Sequence, residues 1–227
     1  MDYKIYNIIY QDNQKERCEF DTYLNTVKTL EDKSYLFEYN PILNILSKEK
    51  EAEYVGIFSW KFLDKTGFFK KKLDYLLDKN PGQDVYTICL PYKDIIEKGY
   101  YKFTEDYHPG FMDLFKKLCD EFNLDSREPK HHIFSNFVIV KWDLYKKFVD
   151  EIIIPAIHLL ETKYVEQVWK DANYCGPTRA GLEPDKLRQF TGLEYYPFHT
   201  FVLERLWSAY VQTHQDIKVL NLAKVKL

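Results

Sequence analysis

The chain has 227 residues, 45% of them hydrophobic, enough to bury one large core without disulfides or a structural metal. With 32 Lys and Arg against 35 Asp and Glu its formal charge is -3, which argues against a surface built to neutralise nucleic-acid phosphates. Cys18, Cys89, Cys119 and Cys175 lie far apart with no CxxC pair, which sets aside a zinc knuckle or thioredoxin-like site and fits a reducing compartment.

The segment Tyr3 to Tyr10 is rich in β-branched and aromatic residues and reads as a strand. The polar loop that follows it places Asp12 and Asn13 where an open α/β sheet binds ligands, so both are candidates to face a nucleotide; ordinary turn residues are the alternative. Asn40 and Pro41 read as an N-cap and first helical residue, with Ile42, Leu43 and Leu46 forming an apolar face. The strand Tyr54 to Phe58 comes next and opens into Trp60 and Lys61, an aromatic and a cation at a strand end. Trp60 suits stacking on a base or sugar, and Lys61 suits a diphosphate.

A helix over 68–79, stopped by Asn80, Pro81 and Gly82, and a strand over 84–90 closed by Pro91 repeat the helix-to-strand unit. Phe111, Leu114, Phe115, Leu118 and Phe122 mark a further amphipathic helix. His132 to Val140 reads as a strand with Ser135 and Asn136 in its middle. A buried amide there must find partners, so Asn136 either fixes a loop or contacts a ligand, and Ser135 is read as structural. A long helix follows, bent or divided at Pro155.

Residues 171–197 form the longest irregular stretch, with a short helix near Pro184 to Phe190, and suit a substrate loop. A last helix over 200–211 carries Glu204 next to Arg205; Glu204 is a candidate general base, or half of a structural ion pair. His199, at the start of that helix, is a candidate for orienting a phosphate or acceptor hydroxyl, or for a turn. The end of the chain, from about residue 215, reads as an edge strand or packed tail. Asp64 and Asp84 are weaker carboxylate candidates because neither sits in a D-x-D pair, and Asp84 is grouped with the donor-binding residues. Mg²⁺ or Mn²⁺ use stays open, since Asp21, Asp64, Asp84 and Glu194 cannot be ranked by spacing, and His131 with His132 would face opposite ways in a strand. The chain has no G-x-G-x-x-G, P-loop or G-x-S-x-G motif.

Four segments in order carry a resemblance: KIYNIIY at 4–10, EYVGIFSWKF at 53–62, FSNFVIVKWDLYKKFVDEIIIPAIHLLE at 134–161 and FVLERLW at 201–207. Together they resemble bacterial capsular-polysaccharide glycosyltransferases of the DUF4422 group, within the nucleotide-diphospho-sugar transferase superfamily. The resemblance implies a single α/β domain over 1–227, with a GT-A-like, mixed and mostly parallel sheet flanked by helices. It further implies a nucleotide-sugar donor held by the loop after Tyr10 and by Trp60 and Lys61, a saccharide acceptor, and catalytic roles for Asn136, His199 and Glu204. The family's His-Tyr-Arg-Arg pattern is replaced here by Phe58, Ser59, Trp60 and Lys61, which admits altered donor choice or lost catalysis. A non-catalytic sugar-binding protein and an assembly protein are the other readings. No stretch approaches the roughly 20 apolar residues of a membrane span, and the start lacks a signal-like segment, so the expected location is the cytosol, with membrane association only peripheral, through the acceptor.

Overall fold

The computed structural model describes residues 1–90, 93–175 and 181–225. Pro91, expected to close a strand, residues 176–180 of the irregular stretch and the last two residues of the tail lie outside the described residues.

Six strands form one sheet: β1 (Tyr3–Ile9), β2 (Asp21–Leu24), β3 (Tyr54–Ser59), β4 (Val85–Thr87), β5 (Val138–Lys141) and β6 (Val219–Asn221), in the order β2-β1-β3-β5-β4-β6. All pairings are parallel except those of β5, which runs antiparallel to both β3 and β4. All six residues of β3 are buried, as a central strand covered on both faces requires, and its sequence is accordingly almost continuously apolar.

Alternation along the strands sorts side chains into two cores. Ile8, Val55, Ile57, Val85, Val138 and Val140 face the larger one, and Ile5, Tyr54, Phe58, Tyr86 and Ile139 the smaller. The smaller core is closed by α2 (Phe62–Thr66) and α3 (Lys70–Lys79), through Phe62, Leu73, Leu76 and Leu77. The larger is covered by α1 (Tyr39–Leu46), by α4 (Lys93–Lys98), α5 (Tyr100–Tyr107) and α6 (Phe111–Glu121), and by α7 (Trp142–Phe148) and α8 (Ile154–Thr162). The short α9 (Val165–Val168) and the long α11 (His199–Thr213) complete that layer. Between α7 and α8 the chain takes a π-helical turn at Val149–Ile153, so Pro155 sits in the first turn of α8, where its missing N–H breaks no hydrogen bond. Among the described residues no helix is long and apolar enough to cross a membrane.

Two local expectations are corrected. Asn40 lies inside the first turn of α1 rather than capping it, and its amide donates to the Lys33 carbonyl at 2.9 Å. The strand expected from His132 begins only at Val138, because Ser135 and Asn136 both adopt left-handed backbone (φ 56° and 53°) that no strand accommodates.

Gly56, in the middle of β3, has no room for a side chain. A Cβ there would stand 3.1 Å from Ile5 Cγ1 and 3.2 Å from Ile139 Cγ1 and Phe58 Cζ. Gly56→Ala is expected to cost about 1–3 kcal/mol through overpacking, read as a lower urea midpoint with an unchanged slope.

Candidate functional site

The reversal of β5 decides where the site lies. Because β1, β3 and β4 run one way and β5 the other, the turn that enters β5 reaches the same sheet edge as the ends of β1 and β3. Asn7 stitches that edge: its amide donates to the Ser59 carbonyl at 3.3 Å and its oxygen accepts from Phe20 N at 3.2 Å.

A cavity of about 290 Å³ opens there. One wall is cationic and aromatic, with Trp60, Lys61 and Lys65 lining it and the Arg17 guanidinium over the Trp60 ring at 4.5 Å. Lys61 caps α2 and Lys65 lies one turn further on, so they share a face. Burial, then the charges of Lys65 and Arg17, hold the Lys61 ammonium below its usual range, with Asp64 partly offsetting them. Such crowding of positive charge is relieved when an anion binds. Ser59 also lines this wall, 7% exposed, and its hydroxyl is buried with no hydrogen-bond partner among the described residues.

Another part of the wall carries two carboxylates, Glu38 and Glu204. Glu38 follows Phe37, a non-glycine residue at φ 48° whose ring stacks on Tyr196 at 5.1 Å. As a residue Glu38 is partly open to the cavity, while its carboxyl is desolvated. Burial pushes its pKa up to about 7, with Lys65 and a hydrogen bond from Asn136 opposing and the Glu204 charge reinforcing the rise. Glu204 accepts from Ser135 N at 2.7 Å and is ion-paired with buried Arg205, whose Nε donates to Thr104 Oγ1 at 3.2 Å. The Lys65 ammonium donates to Ser135 Oγ at 3.2 Å, so the left-handed turn is tied to both walls.

The irregular stretch covers this cavity. Tyr174, Leu182, Thr191 and Tyr196 line it, and α10 (Pro184–Thr191) supplies Phe190. Gly181 fits only as glycine, since a Cβ would meet the Tyr174 carbonyl oxygen at 2.2 Å. A second cavity, of about 470 Å³, adjoins the first, and Lys65, Ser135, Tyr174, Phe201 and Glu204 line both.

The sequence candidates divide accordingly. Trp60, Lys61 and Glu204 come together at the cavity. Asn136 stands behind its wall, 2% exposed, where its oxygen accepts from Tyr39 Oη at 3.3 Å and its side chain bonds Glu38; it positions rather than lines. Ser135, read as structural, lines both cavities. Asp12 and Asn13 are exposed on the 3₁₀ turn Asp12–Arg17, with Asp12 paired to Lys15 at 2.8 Å, and Tyr10 and Gln14 reach the cavity instead.

His199 is fully buried between the rings of Tyr35 (4.5 Å) and Trp169 (4.9 Å), and among the described residues neither ring nitrogen has a partner. Burial, and secondarily Lys33, pull its pKa down to about 3, so it packs as a neutral ring away from the cavity. Asp84 precedes β4 and therefore sits at the opposite sheet edge, where it pairs with Lys141 at 2.8 Å and accepts from Lys218 N at 2.9 Å. It clamps β4, β5 and β6 together and is remote from any donor in the cavity. Asp21 and Asp64 pair with Lys4 and Arg17. Among the described residues no group of three His, Cys, Asp or Glu side chains is placed to hold a metal ion.

Glu38, Lys65 and Ser59 escaped the sequence reading. A single charge in the otherwise apolar and polar-neutral run 34–39, and the Lys61-to-Lys65 spacing, were the available signals.

No protein-family profile matches the chain, and no curated protein is similar to it in sequence. Among solved structures, the apo form of WbbM, a bifunctional glycosyltransferase, superposes with a TM-score of 0.53 at 13% identity. The match covers 97% of this chain and 44% of that one, so the chain spans less than half the length of this relative. At such identity the likeness concerns the fold: a mixed, mostly parallel six-stranded sheet between helices, similar to the GT-A-like architecture of a glycosyltransferase.

Proposed function

We propose that this chain is one GT-A-like domain, of the DUF4422-like polysaccharide-forming kind, that moves a sugar from a nucleotide diphosphate to a saccharide hydroxyl in the cytosol. The observation that carries the reading is the polarity of the first cavity. Trp60, Lys61 and Lys65, with Arg17 over the Trp60 ring and paired to Asp64, offer a surface for a base and a diphosphate, and Glu38 and Glu204 line the same cavity.

In this reading the acceptor oxygen bonds the anomeric carbon as the bond to the diphosphate breaks, and the electron pair leaves on the phosphate oxygen. The lysines and Arg17 stabilise that charge, and the acceptor proton passes to Glu204. Glu38 meets hydroxyls of the donor sugar and sets, by its own protonation, how much negative charge the diphosphate must face.

The test is calorimetric titration with UDP-, GDP-, CMP- and dTDP-sugars, with and without Mn²⁺, on the wild type and on Trp60→Ala. One nucleotide is expected to bind, about 5- to 100-fold more weakly in the variant, as loss of a base-stacking ring implies. The Mn²⁺ arms show whether the donor brings an ion with it. Binding without turnover would favour the non-catalytic reading, to which the replacement of the family's His-Tyr-Arg-Arg pattern already lends weight. Binding of none of them by the folded protein would sink both readings and leave the assembly protein.

A further inference from the structure

The second cavity is larger than the first and is lined differently. Phe103, Tyr107, His108, Phe134 and Phe201 surround it, and Tyr107 stands at its mouth with 37% of its surface exposed. Among the described residues its charges are of both signs, three cations (Lys65, Lys93 and Arg205) and two carboxylates (Asp94 and Glu204), and Lys65 donates to Ser135 Oγ at 3.2 Å. Arg205 is spent on Glu204 and Thr104, and its guanidinium lies 4.7 Å from the Phe134 ring centroid; Lys93 at the rim lies 3.6 Å from Glu97 and beside Asp94. A ligand bearing phosphates or carboxylates would have to displace these pairings, whereas a neutral one would not. Aromatic walls with a few fixed polar groups suit the apolar faces and hydroxyls of a neutral sugar ring.

The two cavities meet at the groups the transfer needs. On α11, Phe201 and Glu204 are three residues apart and so project from one face; both line both cavities, as do Lys65 and Ser135. A ring seated in the second cavity therefore adjoins the same Glu204 that the first cavity presents.

We propose that the second cavity is the acceptor subsite and that it selects a neutral pyranoside, stacked on Tyr107, Phe103 and Phe201 with one hydroxyl directed at Glu204. The assignment of that hydroxyl as nucleophile rests on the transferase reading above, whereas the binding preference does not.

Saturation-transfer NMR with the methyl glycosides of glucose, galactose, mannose and N-acetylglucosamine, and with methyl glucuronide as the charged comparator, tests the preference. The wild type is expected to transfer saturation to the ring protons of at least one neutral glycoside. That transfer should fall at least fivefold in Tyr107→Ala, an exposed position, and in the milder Phe103→Leu, with folding checked by circular dichroism. Absence of transfer to every neutral glycoside, indifference to both substitutions, or a preference for the glucuronide would each overturn the proposal. Nucleotide titration of the same proteins reads the first cavity separately. Glycoside binding that behaves as expected in a protein that binds no nucleotide keeps the subsite and removes the transferase reading. Nucleotide binding with glycoside signals untouched by the substitutions removes the subsite alone.

Discussion

Glu204→Ala is expected to lower the stability of the fold by about 3–5 kcal/mol, measured as a fall in the urea midpoint. The reason is the company Glu204 keeps. Arg205 has a side chain only 3% exposed, and removal of Glu204 leaves that charge buried with Thr104 as its remaining hydrogen-bond partner. The same change orphans Ser135 N, which sits in left-handed backbone that costs about 1–2 kcal/mol without compensation. Against a typical total of about 5–15 kcal/mol, this loss is large enough to be mistaken for a catalytic defect. Glu204→Gln separates the two roles, because an amide oxygen still accepts from Ser135 N and from Arg205. It is expected to cost under about 2 kcal/mol while removing the proton acceptor, so transfer should fail in a protein that stays folded. Combining Glu204→Ala with Arg205→Met should recover most of the stability and none of the activity.

Glu38→Gln is expected to be more stable than the wild type in alkaline solution and to gain nothing from the change in acid. The sign follows from the raised pKa. Folding prefers the neutral Glu38, so its favourable contribution is complete below the unfolded value of 4.5 and is lost as pH rises through about 7. A rise of that size is worth on the order of 3 kcal/mol at about 1.4 kcal/mol per pH unit. Unfolding curves of both proteins from pH 4 to pH 9 should therefore diverge between roughly pH 4.5 and pH 7 and run parallel beyond. Donor binding carries the companion signature. In the wild type, ionisation of Glu38 adds a negative charge to the cavity proposed for the diphosphate, so affinity should fall about tenfold or more as pH rises through 7, since two unit charges about 10 Å apart at an effective dielectric near 20 repel by about 1.7 kcal/mol. The glutamine variant should show no such step.

How much of this was written in the sequence depends on the length scale of each signal. Strands β1 and β3 are legible because burial on both faces leaves almost continuous apolar runs, and α6 and α11 because their apolar residues keep helical spacing. Trp60 and Lys61 are found because they adjoin such a run. The reversal of β5 leaves no local trace: its four residues read the same in either direction, and only the pairing with β3 and β4 fixes their sense. Once β5 is reversed, Ser135 and Asn136 come to the edge where β1 and β3 end, while Asp84, which precedes β4, stays at the other. His199 misled for a related reason. A histidine at a helix start resembles a ligand group, yet the rings that bury it, Tyr35 and Trp169, come from distant parts of the chain. Glu38 is not legible locally because nothing near it in sequence announces the burial that lifts its pKa, or the distant Lys65 that opposes the rise and Glu204 that reinforces it.

The wall common to the two cavities makes their occupants thermodynamically linked. A molecule that engages Lys65 or Glu204 from one side changes the hydrogen bonding and charge that the other side presents, through the Ser135 turn bonded to both. If filling the first cavity multiplies the affinity of the second by some factor, filling the second multiplies the first by the same factor. An ordered encounter, in which one ligand prepares the seat of the other, then needs no moving domain: the coupling is carried by one lysine, one glutamate and the strained turn between them.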